Sequence, residues 1–275
     1  MTKIKKINLL LLPGLLTDAR LFQFQMRDLA DVAQSTIADL TVADTIEELA
    51  AAVLEHAPPK FALVGLSMGG YVALEIMRQA PARVLGLALM DTSARPDTHE
   101  ASATRLKLMA QAETNFQTVL DDLMPKLVHP AHMTYNSMID SIYSMGHRIG
   151  KDAFVRQERA IMWRIDSRPY LARITPCPTM VLCGRQDVLT PLEVHKEMAA
   201  AIPGSKLVVI DECGHLSPMA QPKLVSDAMR GWLRSIAYPA HTSFPLPWGK
   251  MRGQGSITGA YAASIPAVRA LHRVG

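Results

Sequence analysis

The chain has 275 residues with a hydrophobic share of 49%, enough for one large domain with a substantial core, and no apolar run reaches the roughly 20 residues of a membrane-spanning helix. Its formal charge is +4, but from Tyr238 onward there are four basic residues (Lys250, Arg252, Arg269, Arg273) and no acidic one, which leaves residues 1–237 formally neutral. A nucleic-acid-binding face on the body of the protein is therefore not expected.

Met1 to Leu16 carries lysines ahead of leucines, as a secretion signal does. The apolar run, however, enters Pro13-Gly14 and no small-x-small cleavage pattern follows, so Ile7 to Leu12 reads as a buried strand. Pro13 to Asp18 is a turn, Leu21 to Val32 a helix, and Ser35 to Leu40 a second strand. Asp44-Thr45-Ile46-Glu47 opens the next helix with an acceptor at the cap and Glu three residues on. Pro58-Pro59 ends it.

Phe61 to Val64 is a short apolar run leading into Gly65-Leu66-Ser67-Met68-Gly69. After it, Val72, Ala73, Ile76 and Met77 fall at helical spacing, and Pro81 closes the segment. The G-x-S-x-G pattern alone is weak. Placed between a strand and a helix it describes a sharp turn that holds the Ser67 oxygen clear of the backbone, with glycines allowing strand and helix to crowd together.

Val84 to Met90 is the next strand and ends at Asp91. Strand and helix in alternation predict parallel strands with sites at their carboxyl ends. The alternation stops from Arg95 to Tyr170, where Leu106, Met109, Phe116, Val119, Leu120 and Leu123 keep helical spacing. This segment is expected to be a cap of several short helices over that edge. Thr179 to Cys183 resumes the sheet, with Gly184-Arg185-Gln186-Asp187 after it. Pro191 starts a helix through Ala200, Leu207 to Ile210 is the last strand, and Pro222 to Ile236 is a closing helix. The organisation expected is core over 1–94, cap over 95–170, core over 171–237, and a Pro-, Gly- and Ala-rich extension over 238–275.

A serine needs a base, an orienting acid and oxyanion donors. His215 combines a late position, a preceding glycine and a strand end, which none of the other eight histidines does. Asp187 follows a strand at the same edge; Asp91, also at a strand end, is the alternative acid. Asp211 is too close in sequence to His215 for an opposed geometry. The oxyanion donors expected are the backbone N–H groups of Met68 and of Leu15, with Leu16 next, in the turn after the first strand. Leu16, Phe116, Tyr135, Tyr143 and Trp163 are candidate pocket walls. His129-Pro130-Ala131-His132 lacks a third ligand, and no metal site is expected. Cys177, Cys183 and Cys213 fit no zinc spacing and read as reduced thiols of a cytoplasmic protein.

Together Leu12-Pro13-Gly14-Leu15, Gly65 to Gly70, Gly184-Arg185-Gln186-Asp187 with Thr190-Pro191, and Gly214-His215 resemble the α/β-hydrolase superfamily over about residues 6–237. The chain is similar to its small capped esterases, enol-lactonases and carboxyl-ester hydrolases. The resemblance implies an α/β fold with helices on both faces of a mostly parallel central sheet. It also implies a serine hydrolase that forms an acyl-enzyme on a small ester or lactone, without metal or organic cofactor. Ser67 would be nucleophile, Asp187 acid, His215 base, and Leu15 and Met68 oxyanion donors. C–C bond, thioester or peracid chemistry on the same residues, and a catalytically silent ligand-binding protein, are alternatives the motifs do not separate. Two departures stand out. Pro13-Gly14 replaces the His-Gly common in the oxyanion turn, and Ile7 to Leu12 is expected to correspond to the strand after the usual initial hairpin, so about six strands are expected.

Overall fold

β1 (Ile7–Leu12) shows how the protein is layered. Its alternate side chains enter two cores: Leu9 and Leu11 pack on one face of the sheet, Leu10 and Leu12 on the other. A strand buried on both faces reads as an unbroken aliphatic run, and each such leucine contributes about 1.5–3 kcal/mol on burial. The computed structural model describes residues 6–237; the extension expected over 238–275 lies outside the described residues.

The other strands are β2 (Ala33–Ile37), β3 (Phe61–Leu66), β4 (Val84–Met90), β5 (Thr179–Gly184) and β6 (Lys206–Ile210). All neighbouring pairs are parallel, in the order β2-β1-β3-β4-β5-β6. Helices α1 (Gln23–Asp28) and α9 (Pro222–Ala237) flank one face; Met229, Trp232 and Leu233 of α9 join the first core. On the other face lie α2 (Ile46–His56), α3 (Met68–Gln79) and α7 (Leu192–Ala201), which bury Leu49, Val72, Ile76 and Met198 in the second core. After β2 the chain crosses back over β1 to form β3. The carboxyl ends of β1 and β3 thus mark the point where the winding reverses, where a crevice opens.

The first helix is shorter than its spacing predicts. A 3₁₀ turn over Ala19–Phe22 precedes α1, and the chain is already extended at Ala33. β2 then ends at Ile37, because Asp39 accepts hydrogen bonds from the N–H and hydroxyl of Thr41 and turns the chain out of the sheet. α2 is capped one residue later than expected: Thr45 accepts from the Glu48 N–H and donates to its carboxylate.

Between β4 and β5 lie α4 (His99–Thr114), α5 (Phe116–Leu127) and α6 (Asn136–Met162). These are longer than the short helices expected; α6 spans 27 residues and breaks at Gly150, whose φ is 77°. A short α8 (Ser217–Ala220) follows β6.

Candidate active site

β3 delivers Ser67 at the winding reversal. Ser67 adopts φ 54° and ψ −116°, a conformation costly to any residue with a Cβ. The neighbouring glycines make it sterically feasible. A Cβ on Gly65 would collide with the backbone of Gly69, and one on Gly69 would fall on the Leu12 carbonyl of β1. The Ser67 N–H is fixed by the Met90 carbonyl at 3.0 Å.

The Ser67 side chain does not cap α3. Its Oγ lies 2.8 Å from Nε2 of His215, which follows β6. His215 Nδ1 lies 2.8 Å from Oδ2 of Asp187, which follows β5. Asp187 also accepts from the Leu189 and Thr190 N–H groups and, at 2.6 Å, from the Thr190 hydroxyl. The structure thus brings Ser67, His215 and Asp187 into one hydrogen-bonded chain. His215 and Asp187 are both buried.

Burial alone would raise the Asp187 carboxyl, but the His215 ring and the Thr190 donors hold it below the usual carboxylate range. Burial would likewise lower His215, yet the Asp187 charge wins and its pKa is raised. Asp91, the alternative acid, points elsewhere: Oδ1 accepts from the Gly184 N–H at 2.9 Å and Oδ2 from the Ser217 hydroxyl. Burial, then the Asp187 charge, pushes it up to about 7. It ties the β5 and β6 loops together and does not hydrogen-bond to His215.

Met68 opens α3, so its N–H lacks a helical partner and points out of the helix start. In the turn after β1, the Leu16 N–H is taken by Gln157 Oε1 at 3.1 Å. That leaves Leu15, whose N–H has no protein partner among the described residues. Gln157, on α6, also donates to the Leu40 carbonyl. It clamps the turn after β1 from the helical insertion, a role no local sequence signal announces. His195 is a second unannounced residue. Buried and held neutral by that burial, with its pKa near 4, it accepts from the Thr92 N–H beside Asp91.

A cavity of about 280 Å³ opens over Ser67 and His215. Leu15, Leu16 and Tyr143 line it. The other three pocket candidates do not. Phe116 packs against Phe154 inside the insertion, ring centroids 5.8 Å apart. Tyr135 stacks on His132 at the surface. Trp163 lies just past the end of α6 and is 76% exposed, because α6 turns Ala160 and Ile161 inward instead. The insertion also reaches His215 directly: the Leu127 carbonyl accepts the His215 backbone N–H at 3.1 Å.

Among the described residues, no group of three or more His, Cys, Asp or Glu side chains could hold a metal ion. The cysteines are free, and burial pushes the Cys183 thiol up to about 12, so it does not compete as a nucleophile. No described helix is long and apolar enough to cross a membrane.

The profile of the Alpha/beta hydrolase family matches residues 9–228. The chain is 25% identical over 229 residues to the protein named "Putative carbamate hydrolase RutD" of Cronobacter sakazakii, covering 82% of this chain and 84% of that one. Among solved structures, a thermophilic esterase from Thermogutta terrifontis superposes with a TM-score of 0.77 at 30% identity, covering 84% of this chain and 91% of its own. The enol-lactonase of Burkholderia xenovorans shares the fold, with a TM-score of 0.75 at 21% identity and coverage of 84% and 92%. With the parallel six-stranded sheet and the match over most of its length, the chain belongs to the alpha/beta hydrolase family.

Proposed function

We propose that the protein hydrolyses a small carboxylic ester or lactone through an acyl-enzyme on Ser67. The observation that carries this is the unbroken hydrogen-bonded chain from the Ser67 hydroxyl through His215 to Asp187. His215 Nε2 takes the hydroxyl proton as Ser67 Oγ attacks the carbonyl carbon. The carbonyl oxygen, now negative, is met by the Leu15 and Met68 N–H groups. Collapse breaks the bond to the leaving alcohol, and His215 returns the proton to it. Water then repeats the sequence, releasing the acid and restoring Ser67. Asp187 fixes the imidazole tautomer and offsets its transient charge. Residues 95–170 act as the cap that shapes the acyl pocket, and the three free thiols support a reducing, cytoplasmic setting.

A fluorophosphonate probe is the direct test. We expect one covalent adduct, on Ser67, in the intact protein. No adduct would favour a ligand-binding protein built on a hydrolase fold. The labelling rate should depend on pH through His215, which accepts a proton only when neutral. Its raised pKa predicts that labelling rises with pH through a midpoint above 6.5, the ordinary histidine value. A carbamate and a thioester belong in the substrate panel beside the aryl esters, the first because of the name its relative carries.

The two acids separate by mutation. Asp187→Asn should lower kcat by about 10⁴-fold by fixing the wrong tautomer. Asp91→Asn can keep its amide oxygen on the Gly184 N–H and donate Nδ2 to the Ser217 hydroxyl, losing only the long contact from the Ser217 N–H at 3.4 Å. It should cost about 1 kcal/mol of stability. Its turnover should stay within about tenfold of the parent. If Asp91→Asn proved the more damaging to kcat, the orienting acid would be Asp91.

A further inference from the structure

The cavity over Ser67 is walled mainly by aliphatic side chains, yet it contains a charged pair. Arg105 of α4 and Glu158 of α6 both line it, with Arg105 Nη1 donating to Glu158 Oε2 at 2.6 Å. The Glu158 side chain is wholly buried and its other oxygen, Oε1, has no hydrogen-bond partner among the described residues. Among the described residues, three other buried side-chain atoms lack partners, on Gln25, Arg83 and His132, and none of those residues lines this cavity. Buried polar atoms are nearly always satisfied, and a buried ion pair costs desolvation that a lone contact does not recover. Glu158, a residue of the cavity wall, thus carries an acceptor with no partner among the described residues, as a binding subsite requires before its ligand arrives.

The pair is held firmly. Arg105 also donates to Asp97, and Arg164 donates to the other oxygen of Asp97 at 2.7 Å. Arg164 stacks over the Tyr71 ring at 4.4 Å. Tyr71 lies one turn after Ser67 on α3 and lines the same cavity. The four charges balance, so the cluster favours a neutral ligand group over an ion. Burial raises the Glu158 carboxyl and the adjoining guanidinium opposes that shift.

We propose that Glu158 Oε1, braced by Arg105, is a recognition subsite for a neutral hydrogen-bond donor, a hydroxyl or amide N–H, on the substrate's acyl chain. The inference rests on the acyl-transfer reading above and narrows its substrate class from plain alkanoates to donor-bearing acyl groups.

The test is a set of 4-nitrophenyl esters of graded acyl length in three versions: plain alkanoate, terminal hydroxy, and terminal methyl ketone. At the length that reaches Glu158, kcat/KM for the hydroxy ester should exceed that of the alkanoate by tenfold or more. Glu158→Gln should reverse the order. Its amide oxygen will turn to Arg105 and present Nε2 as a donor, so the ketone should then lead the hydroxy ester. The ratio within one variant is independent of how much of it folds, and Glu158→Asp, which withdraws the carboxylate from the cavity, serves if the glutamine variant is insoluble. Alkanoates preferred at every length, with ratios unmoved by either substitution, would mean that Oε1 merely holds a buried water and would overturn the proposal. So would a wild-type preference for the ketone. Failure of the reaction reading looks different: no ester is turned over and no adduct forms. The subsite is then judged by calorimetric titration of Ser67→Ala with the matched methyl esters, where tenfold tighter binding of the hydroxy form supports it and equal binding ends it.

Discussion

Ser67→Ala is expected to lower kcat on a short-chain aryl ester by about 10⁶-fold, the scale at which losing the nucleophile disables a serine-histidine-aspartate unit. The reason is chemical. His215 retains its place on Asp187 but has no hydroxyl to deprotonate. Alanine should suffer the same backbone penalty as serine at φ 54°, so the thermal midpoint should move by no more than about 3 °C, since surface-like changes stay within about 0.5 kcal/mol. Stability and activity therefore separate cleanly in this variant. Turnover preserved to within tenfold in a homogeneous sample would show that another group forms the covalent bond, and the mechanism above would fall.

The largest structural effect should come from Gly69→Ala, a change of one methyl group. That methyl would be driven into the Leu12 carbonyl at the end of β1 and close to the Pro13 carbonyl. Both are backbone atoms, one on the last residue of β1, which pairs with Gly65 of β3, and the other on the residue after it, so neither can rotate away as a side-chain tip would. Relief requires α3 to lift from the sheet, carrying Met68 and unpacking Val72 and Ile76 from the core. Overpacking of a yielding core costs about 1–3 kcal/mol; here a cost above about 4 kcal/mol is expected. The measurement is thermal unfolding, with a midpoint more than about 10 °C lower or no soluble protein at all. A midpoint within a few degrees of the parent would mean that the strand–helix junction has slack the structure does not display.

Both predictions concern a junction that was readable before any coordinates. Each motif residue there sits in a local pattern with a mechanical meaning: an apolar run, a turn glycine, a helix that follows. Asp187 and His215 are legible for the same reason, since each lies in the loop that follows a strand. Residues from the helical insertion were not. Nothing in the α6 sequence distinguishes Gln157 and Glu158, which face inward, from the polar residues around them that face solvent. Which side of a long helix is covered depends on tertiary packing, and a helix broken at Gly150 changes its phase partway. Three of the four aromatic candidates, all but Tyr143, lie away from the cavity for the same reason. Size made Phe116, Tyr135 and Trp163 look like walls, but one fills the insertion's own small core and two lie outward. The limits of β2 differ from the expected ones because an edge strand's ends are set by side-chain turns such as that of Asp39.

The bond from the His215 amide to the Leu127 carbonyl has a bearing on engineering. Leu127 ends α5, within the very segment one would exchange to change substrate preference. A chimera with α5 from a relative would also import a foreign tether for the imidazole loop. Under the proposed mechanism, then, selectivity and proton-transfer alignment share a mechanical link, and a graft that spares the stretch from 127 to 129 has the better prospect of an active hybrid.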